Sequence, residues 1–181
     1  MVLKNILFSF RWLPFIHFFI DRKQNLINMK NEEPYQTQID VLVHNYLINN
    51  EITFDTNSCT NLFTIPMNGD SGRWNAKVYT SGHDNILSIR TEFPFVTPEG
   101  SIFKTIDLLN RLNKKILVGK YYLFPEDGCI VYENNHYIGE RDLLDSEIEF
   151  VLSLAYRMTN MAFNDLAAII FSNGEPALIV A

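Results

Sequence analysis

The sequence predicts an α+β fold: a single antiparallel sheet with helices packed mainly on one face, in the order α-βββ-α-ββ-α. Three observations carry that prediction. Apolar residues recur at three- and four-residue spacing in three separate segments, the period of half-buried helices. Between those segments apolar and polar residues alternate, and tight turns link the alternating runs, as in an antiparallel meander. The composition, 47% hydrophobic and 13% aromatic over 181 residues, is that of one folded domain large enough for a real core.

The elements follow in order. Pro34 opens the first helix, and Tyr35, Ile39, Leu42, Val43, Tyr46 and Leu47 form its apolar stripe, ending near Asn50. Residues 52–54 are short and β-prone. Residues 61–67 read as a strand, with Leu62 and Thr64 on one face and Phe63 and Ile65 on the other. Pro66 cannot donate to a ladder, so its end of the strand belongs at an edge or terminus. Asn68, Gly69, Asp70, Ser71 and Gly72 make a turn. Beyond it Trp74, Ala76, Val78 and Thr80 alternate with Asn75, Lys77 and Tyr79. Ser81 to Asp84 turns again, and Leu87, Ile89 and Thr91 alternate with Ile86, Ser88 and Arg90 in a strand to Phe93, before Pro94 and Pro98 end the sheet run. Ile102, Phe103, Ile106, Leu109 and Leu112 stripe a second helix. Two strands, residues 116–124 and 129–132, flank the hairpin turn Asp127-Gly128. The third helix follows Asp145, with Ser146 and Glu149 in a capping-box pattern. Asn173, Gly174, Glu175 and Pro176 stop it.

Charge is unevenly spread. In residues 1–28, Lys4, Arg11, Arg22 and Lys23 stand against Asp21, a net +3; the overall −6 therefore leaves −9 on the rest. The organisation expected is an apolar basic leader at 1–28 and a domain at 29–181. Three readings of the leader remain open. It is an upstream extension, with translation starting at Met29; or a peripheral, membrane-interacting helix; or a signal peptide, although no Ala-x-Ala-like site follows Ile20. Its apolar run is shorter than a membrane span and is interrupted by Arg11, Pro14 and His17.

Catalytic motifs are missing. The sequence contains no G-x-S-x-G, phosphate loop or G-x-G-x-x-G. No His or Cys lies two to five residues from His17, His44, His83 or His136, so no zinc-ligand pair is visible. Cys59 and Cys129 cannot staple a chain of this length, and Cys129 is expected as a buried, inert thiol. Arg111, Lys114, Lys115 and Lys120 cluster, but the acidic body opposes nucleic acid. No enzyme activity, metal or other cofactor is expected. An unrecognised small enzyme would need His83 or His136 beside a carboxylate in a cleft.

Four segments carry a family resemblance: Thr91 to Phe95, Leu108 to Asn113, Val118 to Leu123, and Glu126 to Asn134. The paired Asn110 and Asn113, followed by a Gly-Lys-aromatic strand and an Asp-Gly hairpin, are the most specific part. Together they resemble the YbjN domain family, whose fold is similar to that of type III secretion chaperones. The resemblance implies a non-enzymatic protein- or peptide-binding module, chaperone-like or a regulatory adaptor, located in the cytoplasm. It implies a protein or peptide partner and a homodimer; the acidic charge balance predicts no nucleic acid, and membrane contact is expected only through residues 1–28. It supplies no catalytic residues. The candidate partner-binding or structural residues are Trp74, Asn110, Asn113, Tyr121, Tyr122 and Met158. Trp74, Tyr121, Tyr122 and Met158 belong to an aromatic and Met surplus of the kind that lines grooves and cores alike. Asn110 and Asn113 share a helix face, where amides satisfy backbone groups of an adjoining strand or contact a ligand.

Overall fold

A computed structural model describes residues 38–57, 62–81 and 84–172. The chain divides into units Met1–Tyr35 and Gln36–Ala181, and the fold below is that of the second. The expectations placed on the leader, on Pro34 and Tyr35, on Cys59, on His83 and on residues 173–176 lie outside the described residues.

Helix α1 (Gln38–Asn49) leads into strands β1 (Asp55–Asn57), β2 (Leu62–Asn68), β3 (Arg73–Ser81) and β4 (Ile86–Val96). A 3-10 turn, Glu99–Ser101, precedes helix α2 (Ile102–Asn113); strands β5 (Lys120–Phe124) and β6 (Cys129–Tyr137) and helix α3 (Asp145–Phe171) follow. The six strands form one sheet in the order β1-β2-β3-β4-β6-β5, and every pairing is antiparallel. This is the expected α+β architecture, with one extra short strand, β1.

Period two decides which side of the sheet is dry. In β3, Trp74, Ala76 and Val78 are buried while Asn75, Lys77 and Tyr79 are half-exposed. In β4, Leu87, Ile89, Thr91, Phe93 and Phe95 are buried. The buried side is the one the helices cover. Trp74 stacks near Tyr156 and Phe163 of α3, with ring centroids 5.8 and 5.9 Å apart. Phe95 meets Phe163 edge-on at 5.3 Å. Removing each such ring from water contributes roughly 1.5–3 kcal/mol. In α1, Val43 and Leu47 are fully buried one turn apart.

Several boundaries differ from the expectations. Residues 52–54 precede β1 rather than form it. Pro66 sits where β1, paired only to residues 62–64, no longer reaches β2, so its missing N–H leaves no ladder position empty. Pro94 does not end β4: it falls in the irregular stretch between Glu92 and Val96, where the register with β6 shifts. β6 runs on to Tyr137 rather than stopping at residue 132. Residues 116–119 are loop, not strand. Gly119 takes φ 73°, and a Cβ there would lie 2.3 Å from the Tyr132 hydroxyl, so the turn requires glycine. The cap of α3 also moves one register. The helix starts at Asp145, which makes Glu147 its third residue, and Glu147 Oε2 accepts from the Leu144 N–H at 3.1 Å. Ser146 and Glu149 are not the capping pair.

Candidate functional site

The sheet face that none of the described helices covers, the helix-free face below, carries the most organised exposed chemistry of the described residues. Strand parity delivers Lys77 and Tyr79 from β3, Arg90 and Glu92 from β4, Glu133 from β6, and Tyr122 and Phe124 from β5 to this side. Arg90 lies between Lys77 and Glu133 in register. Its Nε and Nη2 donate to Glu133 Oε2 at 3.0 and 2.6 Å. Lys77 Nζ donates diagonally to both Glu92 oxygens at 2.6 and 2.7 Å. These four side chains are 20–35% exposed, so the pairs are neither fully wet nor dry.

Aromatic rings frame the ion pairs. The Arg90 guanidinium carbon sits 6.0 Å from the Tyr79 ring centroid and 5.9 Å from that of Phe124. Val131, buried, floors the strip beside Tyr122, which is 44% exposed. Burial is the largest single influence and works against the Arg90 charge, but the Glu133 hydrogen bond and charge, together with Tyr79 and Glu92, outweigh it and raise the pKa. Burial also raises the Tyr79 hydroxyl, against the lowering influence of Arg90 and Lys77. The result is a fixed charge held between flat apolar surfaces, a surface suited to contacting another polypeptide.

Cys129 stands on this same face, opposite Phe124, half-buried rather than in the core. Burial, and then the nearby Glu92 and Asp127 charges, push its thiol up, which keeps it protonated and unreactive at neutral pH.

The residues singled out from sequence do not form one site. Trp74 and Tyr121 are 4% and 2% exposed on the helix-covered side, so neither can touch a partner. Tyr121 donates from its hydroxyl to the Met158 carbonyl at 2.7 Å, and its pKa is raised by burial. Met158 itself packs, partly buried, against the core. Tyr132 lies ring to ring with Tyr121 at 5.3 Å, donates to the Val118 carbonyl, and is pushed up to about 12 by burial. Tyr122 points to the helix-free face. Asn110 is exposed on α2, whereas Asn113 turns to β5: its Oδ1 accepts from the Tyr121 N–H at 2.8 Å and its Nδ2 donates to the Tyr121 carbonyl at 2.9 Å. Arg111 pairs with Asp107 one turn back, and Lys114, Lys115 and Lys120 are exposed.

A second polar cluster joins β6 to the start of α3. His136 Nε2 lies 2.8 Å from Glu147 Oε1, and Arg141 donates to both Glu147 oxygens at 2.6 and 2.7 Å. Arg141 holds the Glu147 carboxyl well below the usual carboxylate range, with lesser help from His136 and the Leu144 N–H. A carboxylate so occupied is a poor proton acceptor. The cluster clamps the helix start to the sheet. The sequence motifs searched contain neither this cluster nor the Lys77–Glu92 and Arg90–Glu133 pairs. Alternation places each ladder residue on the outer face, but the β3–β4 pairing joins Lys77 to Glu92 and the β4–β6 pairing joins Arg90 to Glu133.

Among the described residues, the geometry is that of an α+β domain with a helix-covered side and a charged and aromatic sheet face that no described helix covers. The family model of YbjN, described as "Putative bacterial sensory transduction regulator", matches residues 67–168, from the end of β2 through most of α3. The chain belongs to the YbjN family. Among solved structures it is similar to that of YbjN from E. coli, described as "a putative transcription regulator", at 16% identity and a TM-score of 0.56. That likeness covers 70% of this chain and 88% of the other, and it supports the fold. No curated protein matches the chain. Among the described residues, no helix is long and apolar enough to cross a membrane.

Proposed function

We propose that this chain is a non-enzymatic, cytoplasmic protein-binding module, chaperone-like or a regulatory adaptor, and that its docking surface is the helix-free sheet face. One observation carries the reading: Tyr79, Tyr122 and Phe124 surround the Arg90–Glu133 pair on a face that none of the described helices covers. Aromatic rings with a rigidly held arginine between them are the side chains that dominate protein contacts. The family description as a regulator agrees with a binding role. The occupancy of Glu147 by Arg141 argues against its use as a base by His136 or by substrate. The partner is an extended protein segment whose apolar side chains lie against the rings.

Photocrosslinking tests this. A benzophenone side chain is placed at Tyr79 or Tyr122 on the sheet face, and at Ser146 on the helical side, in the cells of origin. The reading expects the same discrete adduct from the two sheet positions and its loss on Arg90→Ala. No adduct from the sheet face, or the same adduct from Ser146, overturns it.

A further inference from the structure

The loop between α2 and β5 holds an apolar tip among cations. Leu117 is 101% exposed, as open to solvent as in an isolated peptide, and Val118 beside it is exposed as well. The loop is fixed rather than loose. Asn113 ties its first end to the Tyr121 backbone, the Tyr132 hydroxyl donates to the Val118 carbonyl at 3.0 Å, and Gly119 turns left-handed. With both neighbours of the turn held in this way, Leu117 projects into solvent. The helix leading into the loop continues the pattern. Thr105, Leu108, Leu109 and Leu112 of α2 face the core, while Phe103, Ile106, Asn110 and Lys114 are exposed on its outward side.

Residues 102–120 carry Lys104, Arg111, Lys114, Lys115 and Lys120 against Asp107, a net +4 inside a body of −9. Arg111 pairs with Asp107. The four lysines are exposed and make no ion pair among the described residues, whereas Lys77, Arg90 and Arg141 are each held by a carboxylate. Unpaired lysines around a projecting leucine match an anionic lipid surface: the cations meet headgroup phosphates and the leucine enters the acyl boundary. Nucleic acid would take the cations but has no place for an aliphatic tip, because bases stack on flat rings. An acidic protein would have to supply a pocket for Leu117, and a bilayer takes a projecting apolar group without one. We propose that the loop Lys114–Lys120 is a peripheral docking element for anionic phospholipid bilayers, with Leu117 inserted and Lys114, Lys115 and Lys120 on the headgroups. It lies on the membrane and does not span it. The assignment is independent of residues 1–28 and of the sheet-face reading.

The test places its readout in the loop, so that binding by another part of the full chain does not stand in for it. In a Cys59→Ser/Cys129→Ser background, Leu117→Cys carries an environment-sensitive nitrobenzoxadiazole label. Its emission should shift to the blue and rise at least about twofold on phosphatidylcholine vesicles containing about 30% phosphatidylglycerol, and stay unchanged on phosphatidylcholine alone. Raising NaCl from about 0.1 to about 0.5 M should weaken the response. Adding Lys114→Glu/Lys115→Glu should raise the lipid concentration at half-maximal response at least about tenfold. The same label at Glu126→Cys, exposed at the other end of β5, should not respond. All these positions are exposed, and a circular dichroism spectrum equal to wild type establishes that the variants fold. A label at 117 indifferent to anionic vesicles, an equal response to neutral vesicles or at Glu126→Cys, or a response undiminished by the charge reversal overturns the proposal. So does a wild type that binds duplex DNA or polyglutamate but not the vesicles.

Discussion

The Asn113 carboxamide pairs with the Tyr121 backbone as a neighbouring strand would, accepting from its N–H at 2.8 Å and donating to its C=O at 2.9 Å. Tyr121 belongs to β5, which ends the sheet. An open edge invites pairing with another chain, and here the last residue of α2 plugs it. Replacing Asn113 with Ala should leave both groups of Tyr121 unpaired in a half-buried place and cost about 1–3 kcal/mol. Urea unfolding measures this. Asn113→Asp keeps an acceptor but loses the donor to the carbonyl, so it should not recover wild-type stability.

Glu147 makes stability depend on pH. Its folded pKa lies below the ordinary 4.5, chiefly because of Arg141. A carboxyl depressed in this way stabilises the fold above its unfolded pKa, and that contribution is lost as pH falls. Glu147→Gln should therefore be less stable than wild type near neutrality, with the gap closing as pH drops below 4.5. Urea midpoints across that range decide it; a gap that widens toward acid would contradict the assignment.

Gly119→Ala should be destabilising by roughly 1–3 kcal/mol, from the positive φ and the Tyr132 ring together. The position has φ 73° and no room on the Tyr132 side. Thermal unfolding reads the loss directly, and Gly100→Ala, where a Cβ would meet nothing within 4 Å, is the control.

Cys129 should react slowly with a disulfide reagent at neutral pH. Its thiol is half-buried and pushed up by burial and by Glu92 and Asp127. In a Cys59→Ser background the native protein should be labelled far more slowly than the urea-unfolded chain, and faster as pH rises. Equal rates would show the thiol to be open.

Much of this architecture is legible in the residues themselves. Trp74, Ala76 and Val78 alternate with Asn75, Lys77 and Tyr79 because β3 has one dry and one wet side, and that contrast is written locally. The three helices show in their stripes for the same reason. The β4–β6 pairing is not local. Arg90 and Glu133 are separated by 43 residues, and nothing in either strand says that β6 rather than β5 lies beside β4. The docking face depends on that neighbour relation, so its members were individually visible and collectively hidden. Residues 116–119 misread for another reason. Ile116, Leu117 and Val118 are strand-forming in type, but the left-handed Gly119 sets the turn, and its need comes from a ring in a different strand. Tyr121 and Tyr122 are adjacent aromatics of similar character, and only strand parity sends one inward and the other out.

The strand order also bears on how the chain is made. As it leaves the ribosome, β2, β3 and β4 join as successive hairpins, each pairing within a short stretch of chain. The outer edge of β4 then waits through α2 and β5 until Cys129–Tyr137 is synthesised, because only β6 covers it. During that interval Leu87, Ile89, Phe93 and Phe95 stand on a strand with one open edge and without the cover of α3. The nascent meander is therefore the species most exposed to wrong association, and α2 with β5 sets how long that exposure lasts.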